Sequence, residues 1–168
     1  MGTSNMNESK TCNECGNEVT PDSDFCPNCG VLFPGDIPLH CDTHDSKVAI
    51  GVCVVCNTLV CSACGKSPHG RLLCTVHAGV VLEEGWAEVF RSTDVNEAEM
   101  AKAFLESEGY TVHPTDFGSV GYVWDGGGDS SISRSALNKP ARLFVPIPVY
   151  VKAKEVLQDW QSSSEFQD

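Results

Sequence analysis

Residues 41–77 read CDTHDSKVAIGVCVVCNTLVCSACGKSPHGRLLCTVH, and this stretch constrains the rest of the chain. It contains four pairs of residues that can ligate a metal, and two residues separate the members of each pair. The pairs are Cys41/His44, Cys53/Cys56, Cys61/Cys64 and Cys74/His77. Such a gap lets both side chains hold one tetrahedral ion, and four such pairs in series rarely arise by chance. The stretch therefore predicts a two-zinc module over residues 41–78.

The ligand count alone does not decide how the four pairs share two ions. A sequential scheme joins the first pair with the second, whereas an interleaved scheme, or cross-brace, joins the first with the third. Both schemes give two sites of three cysteines and one histidine. His69 also lies close enough in the sequence to substitute for a ligand. We keep Cys74 and His77 as the closing pair, because otherwise Cys74 would be a lone thiol inside a metal cluster.

A further metal motif precedes this module at residues 12–30. Two Cys-x2-Cys pairs, each followed by a glycine, have the spacing of a four-cysteine zinc ribbon. Gly16 and Gly30 are expected to adopt the positive φ of a tight knuckle, as are Asn57 and Gly65 in the second module. The predicted ligands of the first site are Cys12, Cys15, Cys26 and Cys29.

These assignments use all ten cysteines and two of the five histidines. Each of the three sites is filled by four protein ligands, which leaves no open position for water or substrate and indicates structural zinc. Four thiolates also suit iron in the first site, but a four-cysteine knuckle without redox-type surroundings favours zinc. We expect three Zn²⁺ ions per chain, no other cofactor, no catalytic residue and no enzymatic activity.

Composition and charge narrow the function further. The N-terminus lacks the apolar core of a signal peptide, and no apolar run is long enough to span a membrane, so we expect a cytoplasmic protein whose cysteines bind metal. The formal net charge of the chain is −12. No segment forms the basic patch that phosphate binding needs, which argues against nucleic acid as a partner.

Residues 84–160 predict an α+β domain with the order β-α-β-β-α. A strand from Trp86 precedes a helix that Asp94 and Glu97 start as a capping box and Gly109 ends. Further strands are expected from Tyr110 and over residues 142–146, followed by a helix with Pro148 in its first turn. Residues 116–139 are polar and rich in glycine, which predicts a mobile loop. We expect residues 31–40 to be a linker, and residues 1–11 and 161–168 to be disordered.

Three segments also resemble known families. The motifs CNECG and DFCPNCG resemble the zinc ribbons of many prokaryotic proteins. Residues 41–77 resemble bacterial B-box zinc fingers, and this resemblance implies the interleaved pairing of ligands. The segments VFRSTDVNEAEMAKAFLESEGYTV and ARLFVPIPVYVKAKEVLQDW resemble a small prokaryotic signal-transducing domain related to the PII-like, ferredoxin-like plait. The last resemblance implies that fold and a regulatory role.

Together these patterns predict a zinc-binding, non-catalytic adaptor or regulatory protein that uses its zinc modules for protein–protein interaction. The alternative is a small-ligand sensor in which the C-terminal domain binds a metabolite and transduces the signal. The sequence does not identify the partner or establish whether a small-molecule ligand exists.

Overall fold

The computed structural model describes residues 9–117 and 139–164, and the chain forms two compact units, residues 1–80 and 81–168. The first unit is cysteine-rich, and the second is an α+β unit with a four-stranded sheet. Most of the predicted mobile loop lies outside the described residues, as do residues 1–8 and 165–168. Within the described part of the chain, no helix is both long enough and apolar enough to cross a membrane.

Two short antiparallel hairpins organise the first unit. Strand β1 (Lys10–Thr11) pairs with β2 (Glu18–Val19), and β3 (Gly51–Val52) pairs with β4 (Leu59–Val60). Each hairpin encloses one Cys-x2-Cys pair, so the strands present the two cysteines on a tight turn. Only residues 51–52 belong to β3, and Val48 lies outside it in an isolated bridge with His40.

The zinc-ribbon motif and the second module form one continuous body. Val52 donates its backbone N–H to the carbonyl oxygen of Gly30 at 2.8 Å. Leu72 donates to the carbonyl oxygen of Cys29 at 2.9 Å and accepts from Val54 at 2.9 Å. Val31, within the segment predicted as a linker, forms an antiparallel bridge with Gly51. The first residue of the predicted linker is therefore paired with the second module.

The second unit contains a four-stranded antiparallel sheet in the order β5-β6-β8-β7. Its elements are β5 (Leu82–Glu83), β6 (Trp86–Ser92), α1 (Val95–Ser107), β7 (His113–Thr115), β8 (Ala141–Pro146) and α2 (Tyr150–Ser164). The predicted β-α-β-β-α order is present, with β5 added at one edge. Strand β8 lies between β6 and β7 and pairs with both. The two strands that α1 connects are therefore not neighbours, because a strand from later in the chain separates them. Strand β7 begins three residues after the predicted start.

Helix α1 starts differently from the predicted capping box. The Asp94 side chain accepts a hydrogen bond from the backbone N–H of Asn96 at 2.9 Å, as an N-cap should. Glu97, however, accepts from the hydroxyl of Ser92, and that same hydroxyl accepts from the backbone N–H of Asp94 at 3.0 Å. Ser92 thus stands between the two groups that a capping box would join directly. At the other end Gly109 has φ of 91°, which suits a residue just past the C-cap.

The helices cover the sheet with small and aliphatic side chains. Ala98, Ala101 and Leu105 of α1 are fully buried, and Phe104 stacks on Trp160 of α2 with ring centroids 5.4 Å apart. Pro148 lies in a 3-10 turn at Ile147–Val149 that precedes α2. Helix α2 continues to Ser164, so residues 161–164 are helical rather than part of the predicted disordered tail.

A network of ion pairs lies on β6 and β8 of this sheet. The Glu88 carboxylate accepts from Arg91 Nε and Nη2 at 2.8 and 3.0 Å and from Arg142 Nε at 2.6 Å. Arg142 also donates to Glu83 at 3.1 Å. The Glu88 side chain is only 11% exposed, so its charge depends on these partners. Burial acts to raise the pKa of Glu88, but the two arginines outweigh it and hold that pKa below its usual range.

Replacing Glu88 by Gln is expected to lower the free energy of unfolding of the second unit by about 1–3 kcal/mol at neutral pH. Because the folded pKa is depressed, the stabilisation is present above the unfolded value of about 4.3 and is lost as the pH falls through the folded pKa. Urea unfolding followed by tryptophan fluorescence measures this, since all three tryptophans lie in residues 81–168. Glu106→Gln removes an exposed pair with Lys102 and should cost no more than about 0.5 kcal/mol. An equal loss in both variants would contradict the assignment.

Candidate metal centres

The twelve predicted ligands lie together in three groups of four. In each group the candidate ligand atoms all lie within 4.8 Å of one another. The groups are Cys12, Cys15, Cys26 and Cys29 (site 1), Cys41, His44, Cys61 and Cys64 (site 2), and Cys53, Cys56, Cys74 and His77 (site 3). In residues 41–77 the first pair joins the third and the second joins the fourth. The geometry is therefore the interleaved arrangement and not the sequential one.

Site 1 joins two knuckles of the first unit. The β1–β2 hairpin carries Cys12 and Cys15, and the second pair follows on the chain that returns toward residue 30. Cys12 Sγ lies 3.7 Å from Cys29 Sγ, and Cys15 Sγ lies 3.6 Å from Cys26 Sγ. These sulfur–sulfur distances cross between the two pairs, so each knuckle faces the other across one common centre.

Site 2 is built from the first and third ligand pairs of the interleaved module. Cys41 Sγ and Cys64 Sγ are 3.4 Å apart, and Cys61 Sγ and Cys64 Sγ are 3.7 Å apart. His44 points Nδ1 at this group, 3.7 Å from Cys41 Sγ and 3.6 Å from Cys61 Sγ. Because β4 ends directly before Cys61, the β3–β4 hairpin positions half of the site.

Site 3 lies at the turn of the same hairpin. Cys53 and Cys56 occupy the β3–β4 connection, and the last pair of the module closes the group from the far end of the sequence. Cys56 Sγ is 3.8 Å from Cys74 Sγ. His77 presents Nδ1 at 3.8 Å from Cys53 Sγ and 3.3 Å from Cys74 Sγ. One short hairpin therefore supplies ligands to both sites of the module, which links their positions.

The spacing of these atoms fits a tetrahedral metal ion. With metal–sulfur distances of about 2.3 Å, neighbouring sulfurs of a tetrahedron lie about 3.8 Å apart. The sulfur–sulfur contacts described above lie between 3.4 and 3.8 Å, and all ligand atoms of a group lie within 4.8 Å of one another. Eight of the ten cysteines are buried and the other two are partly buried, and all ten are free thiols rather than disulfides. Each group could hold one metal ion with all four positions supplied by the chain, which is compatible with zinc.

The turns that hold the Cys-x2-Cys pairs share one backbone hydrogen bond. The residue after each pair donates its N–H to the carbonyl oxygen of the first cysteine, at 2.8 Å in all four turns. The donors are Gly16, Gly30, Asn57 and Gly65. Three of these adopt positive φ as predicted, at 73°, 84° and 61°. The prediction was wrong for Gly65, whose φ is outside the positive range.

At Gly65 the space for a side chain is limited instead. A Cβ at this position would lie 3.0 Å from the carbonyl oxygen of Cys61 and 3.1 Å from Leu72 Cδ1. Leu72 packs over this turn because its backbone is bonded to Cys29 of site 1. The constraint on Gly65 thus comes partly from its own turn, through Cys61, and partly from tertiary packing, through Leu72. The motif Cys-x2-Cys-Gly does not distinguish this limit on space from a requirement for positive φ.

The pKa values of the clustered thiols differ widely from one cysteine to another. Burial raises the pKa of Cys53 to about 11, and burial also raises that of Cys29. At Cys41, burial opposes ionisation, but the hydrogen bond with His44 and backbone contacts lower the pKa to about 6. Thiols with such different pKa values ionise together only when a dication compensates the clustered negative charge.

Two further side chains contact the sulfur atoms, and the sequence reasoning missed both. The Thr58 hydroxyl lies 3.0 Å from Cys56 Sγ, and Asn17 donates from its amide nitrogen to Cys15 Sγ at 3.5 Å. Each residue lies two positions after the second cysteine of its pair. A search for polar residues at this position of the Cys-x2-Cys motifs would have found both. Such contacts orient a metal ligand and adjust its charge.

The histidines that were not assigned as ligands lie outside the three groups. His69, considered as a substitute ligand, occupies a turn at φ 53° and belongs to none of them. His113 packs against Trp86 with ring centroids 5.5 Å apart. His40 bridges the backbone of Val48. Cys74 and His77 therefore stand as the closing pair of the described clusters.

The chain was also compared with known proteins. The resemblances described above rest on the quoted residues alone, and the geometry of the three clusters stands independently of them. No protein-family model, no curated protein and no solved structure matches this chain.

Proposed function

We propose that this chain is a non-catalytic adaptor whose N-terminal unit is built by three structural zinc ions and serves protein–protein interaction. The observation that carries the proposal is the closed donor set of each site. Four protein ligands converge in every group, with one sulfur or nitrogen atom from each residue. A catalytic zinc site keeps a position for water or substrate, and these sets provide for none.

The distribution of the sites also supports the proposal. Two of them share a single hairpin, and backbone hydrogen bonds tie the third to the same body. The zinc ions would then shape one continuous surface over residues 9–80, which is what an adaptor presents to a partner. Zinc is favoured over other ions by the sulfur-rich, four-coordinate donor sets.

Native mass spectrometry of the freshly purified chain, with elemental analysis, tests the proposal. We expect three zinc ions per chain, because three complete donor sets are present. His44→Ala removes one ligand of site 2 and should leave two ions tightly bound. His69→Ala is the matched control and should retain three. Iron, fewer than three ions in the unmodified chain, or a loss in the His69 variant would contradict the assignment.

We further propose a regulatory role for the second unit. We propose that it is a ferredoxin-like plait, since β8 lies between β6 and β7 and two helices pack on the sheet. A groove of about 350 Å³ beside Asp94, Met100 and Trp160 makes a small-ligand sensor the second candidate function. Calorimetric screening of the full chain with nucleotides and common metabolites would count against a sensor if every compound were silent.

A further inference from the structure

An apolar groove crosses the first unit between the zinc-ribbon motif and the second module. It encloses about 590 Å³ and is open to solvent. We call this surface the apolar groove. Its lining residues are Asp24, Leu32, Phe33, Pro34, Gly35, Asp36, Ile37, Pro38, Leu39, Val48, Ala49 and Ile50. Neither the sequence motifs nor the metal sites account for this surface.

The groove concentrates exposed aliphatic side chains. Ile37 is 78% exposed, and Val48, Ile50 and Leu39 are 56%, 48% and 44% exposed. These are four of the seven large apolar residues that are exposed in the described part of the chain, and all four line this one surface. Scattered apolar residues on a surface are ordinary, whereas a contiguous patch marks a binding site.

Both walls of the groove are hydrogen-bonded to segments that lie next to metal-site ligands. On one wall Phe33 donates its backbone N–H to the carbonyl oxygen of Asp24 at 2.8 Å, which ties it to the segment that leads into site 1. On the other wall Ala49 donates to the carbonyl oxygen of Leu39 at 2.8 Å, and Cys41 of site 2 donates to the carbonyl oxygen of Lys47 at 2.9 Å. Backbone hydrogen bonds therefore connect the groove to the chain segments that carry ligands of sites 1 and 2.

The charge of the groove restricts what can occupy it. Two of the twelve lining residues, Asp24 and Asp36, are charged, and both are acidic. Residues 1–80 contain eight acidic and four basic residues. Zinc-loaded clusters make the unit more negative, because the ten thiolates outweigh the charge of three dications. A second copy packed groove against groove would bring these carboxylates together, which like-charge repulsion opposes.

We propose that the apolar groove is the docking site of this adaptor, and that its occupant is a segment of another protein with several aliphatic side chains flanked by Lys or Arg. This inference rests on the proposed adaptor function and names its surface and its class of partner. The aliphatic side chains cover Ile37, Val48 and Ile50, and the basic residues pair with Asp24 and Asp36. Pro34 and Pro38 remove backbone donors from one wall, so recognition comes mainly from side chains.

The test uses the zinc-loaded full chain and a display library of random twelve-residue peptides. Enriched peptides are synthesised and their affinities are measured by fluorescence anisotropy. We expect the enriched sequences to combine aliphatic residues with Lys or Arg, and Ile37→Ser to weaken their binding about tenfold or more. Val76→Ser is the matched control, since Val76 is 81% exposed in the same unit but does not line the groove.

A second pair of variants tests the charges. Asp36→Asn should weaken binding several-fold and reduce its dependence on salt, whereas Asp22→Asn, outside the groove, should change the affinity less than about twofold. Absence of enrichment, enrichment of acidic peptides, or equal binding by the Ile37→Ser variant would overturn the inference. Dimerisation in the analytical ultracentrifuge that Ile37→Ser abolishes and Val76→Ser does not would assign the groove to a second copy and overturn it as well.

These outcomes are separable from the fate of the adaptor proposal. If the chain holds three zinc ions and binds the selected peptides away from the groove, only the assignment of the groove as the docking site is refuted. A chain that holds no metal refutes the proposed function whatever the peptides do.

Discussion

Removal of the metal ions is expected to unfold the first unit while the second unit keeps its fold. The apolar core of the first unit is small: apart from cysteines it consists of Val19, Ala49, Val52, Val54, Val55, Val60, Leu72 and Leu73. A core of this size rarely offsets the conformational entropy of the chain. Each zinc ion would contribute about 10–16 kcal/mol of apparent binding free energy, which greatly exceeds what this core supplies.

Hydrogen-exchange mass spectrometry of the full chain, with and without a strong chelator, measures the effect. Amides of residues 9–80 should lose their protection on chelation, and those of α1, β8 and α2 should retain it. Tryptophan fluorescence should stay nearly constant, because the first unit contains no tryptophan. Chelator already saturated with zinc is the control. Persistent protection of residues 9–80 in the metal-free chain would show that the clusters are not needed for folding.

Substitution of Gly30 by Ala should strongly destabilise the first unit by breaking the contact between the zinc-ribbon motif and the second module. Gly30 has φ of 84°, and a Cβ there would overlap the carbonyl oxygen of Val52, which belongs to the backbone of β3. Its own carbonyl oxygen accepts the hydrogen bond from Val52 that joins the two parts. Strain and overlap together are expected to cost about 3 kcal/mol or more.

Substitutions at three other glycines separate the effect of backbone strain from that of steric overlap. Gly16 has φ of 73° but open space around its Cβ position, so Gly16→Ala tests strain alone at about 1–2 kcal/mol. Gly51 does not have positive φ, but a Cβ there would overlap the Gly30 carbonyl oxygen, so Gly51→Ala tests overlap alone. Gly35→Ala meets neither obstacle and should be nearly neutral.

The measurement for this series is the apparent zinc affinity in competition with a chromophoric chelator. In a unit that folds with its metal, lost folding free energy appears as lost affinity, and about 3 kcal/mol corresponds to roughly a hundredfold. If Gly30→Ala were no more harmful than Gly16→Ala, the zinc-ribbon motif would not depend on its contact with β3.

Local patterns were the most predictable part of the molecule. Helical spacing puts Ala98, Ala101, Phe104 and Leu105 on one face of α1. Three of them are buried, and Phe104 is half-buried where it stacks on Trp160. The start of α1 was less predictable. Ser92 lies outside the motif that Asp94 and Glu97 form, yet its hydroxyl bonds to both, since the end of β6 brings it to the helix terminus.

The sequence by itself determined which residues can ligate a metal and that they come in pairs, because a two-residue gap is a local property of the chain. It also determined the β-α-β-β-α order of the α+β unit, through hydrophobic period and cap residues, but not the edge strand β5. Only the tertiary structure decided the interleaved pairing without reference to a family, since both pairings satisfy the same ligand count and differ in which distant turns meet. It also decided the bonds from Cys29 and Gly30 to the second module, and with them the apolar groove, because contacts between distant segments have no signature in local spacing.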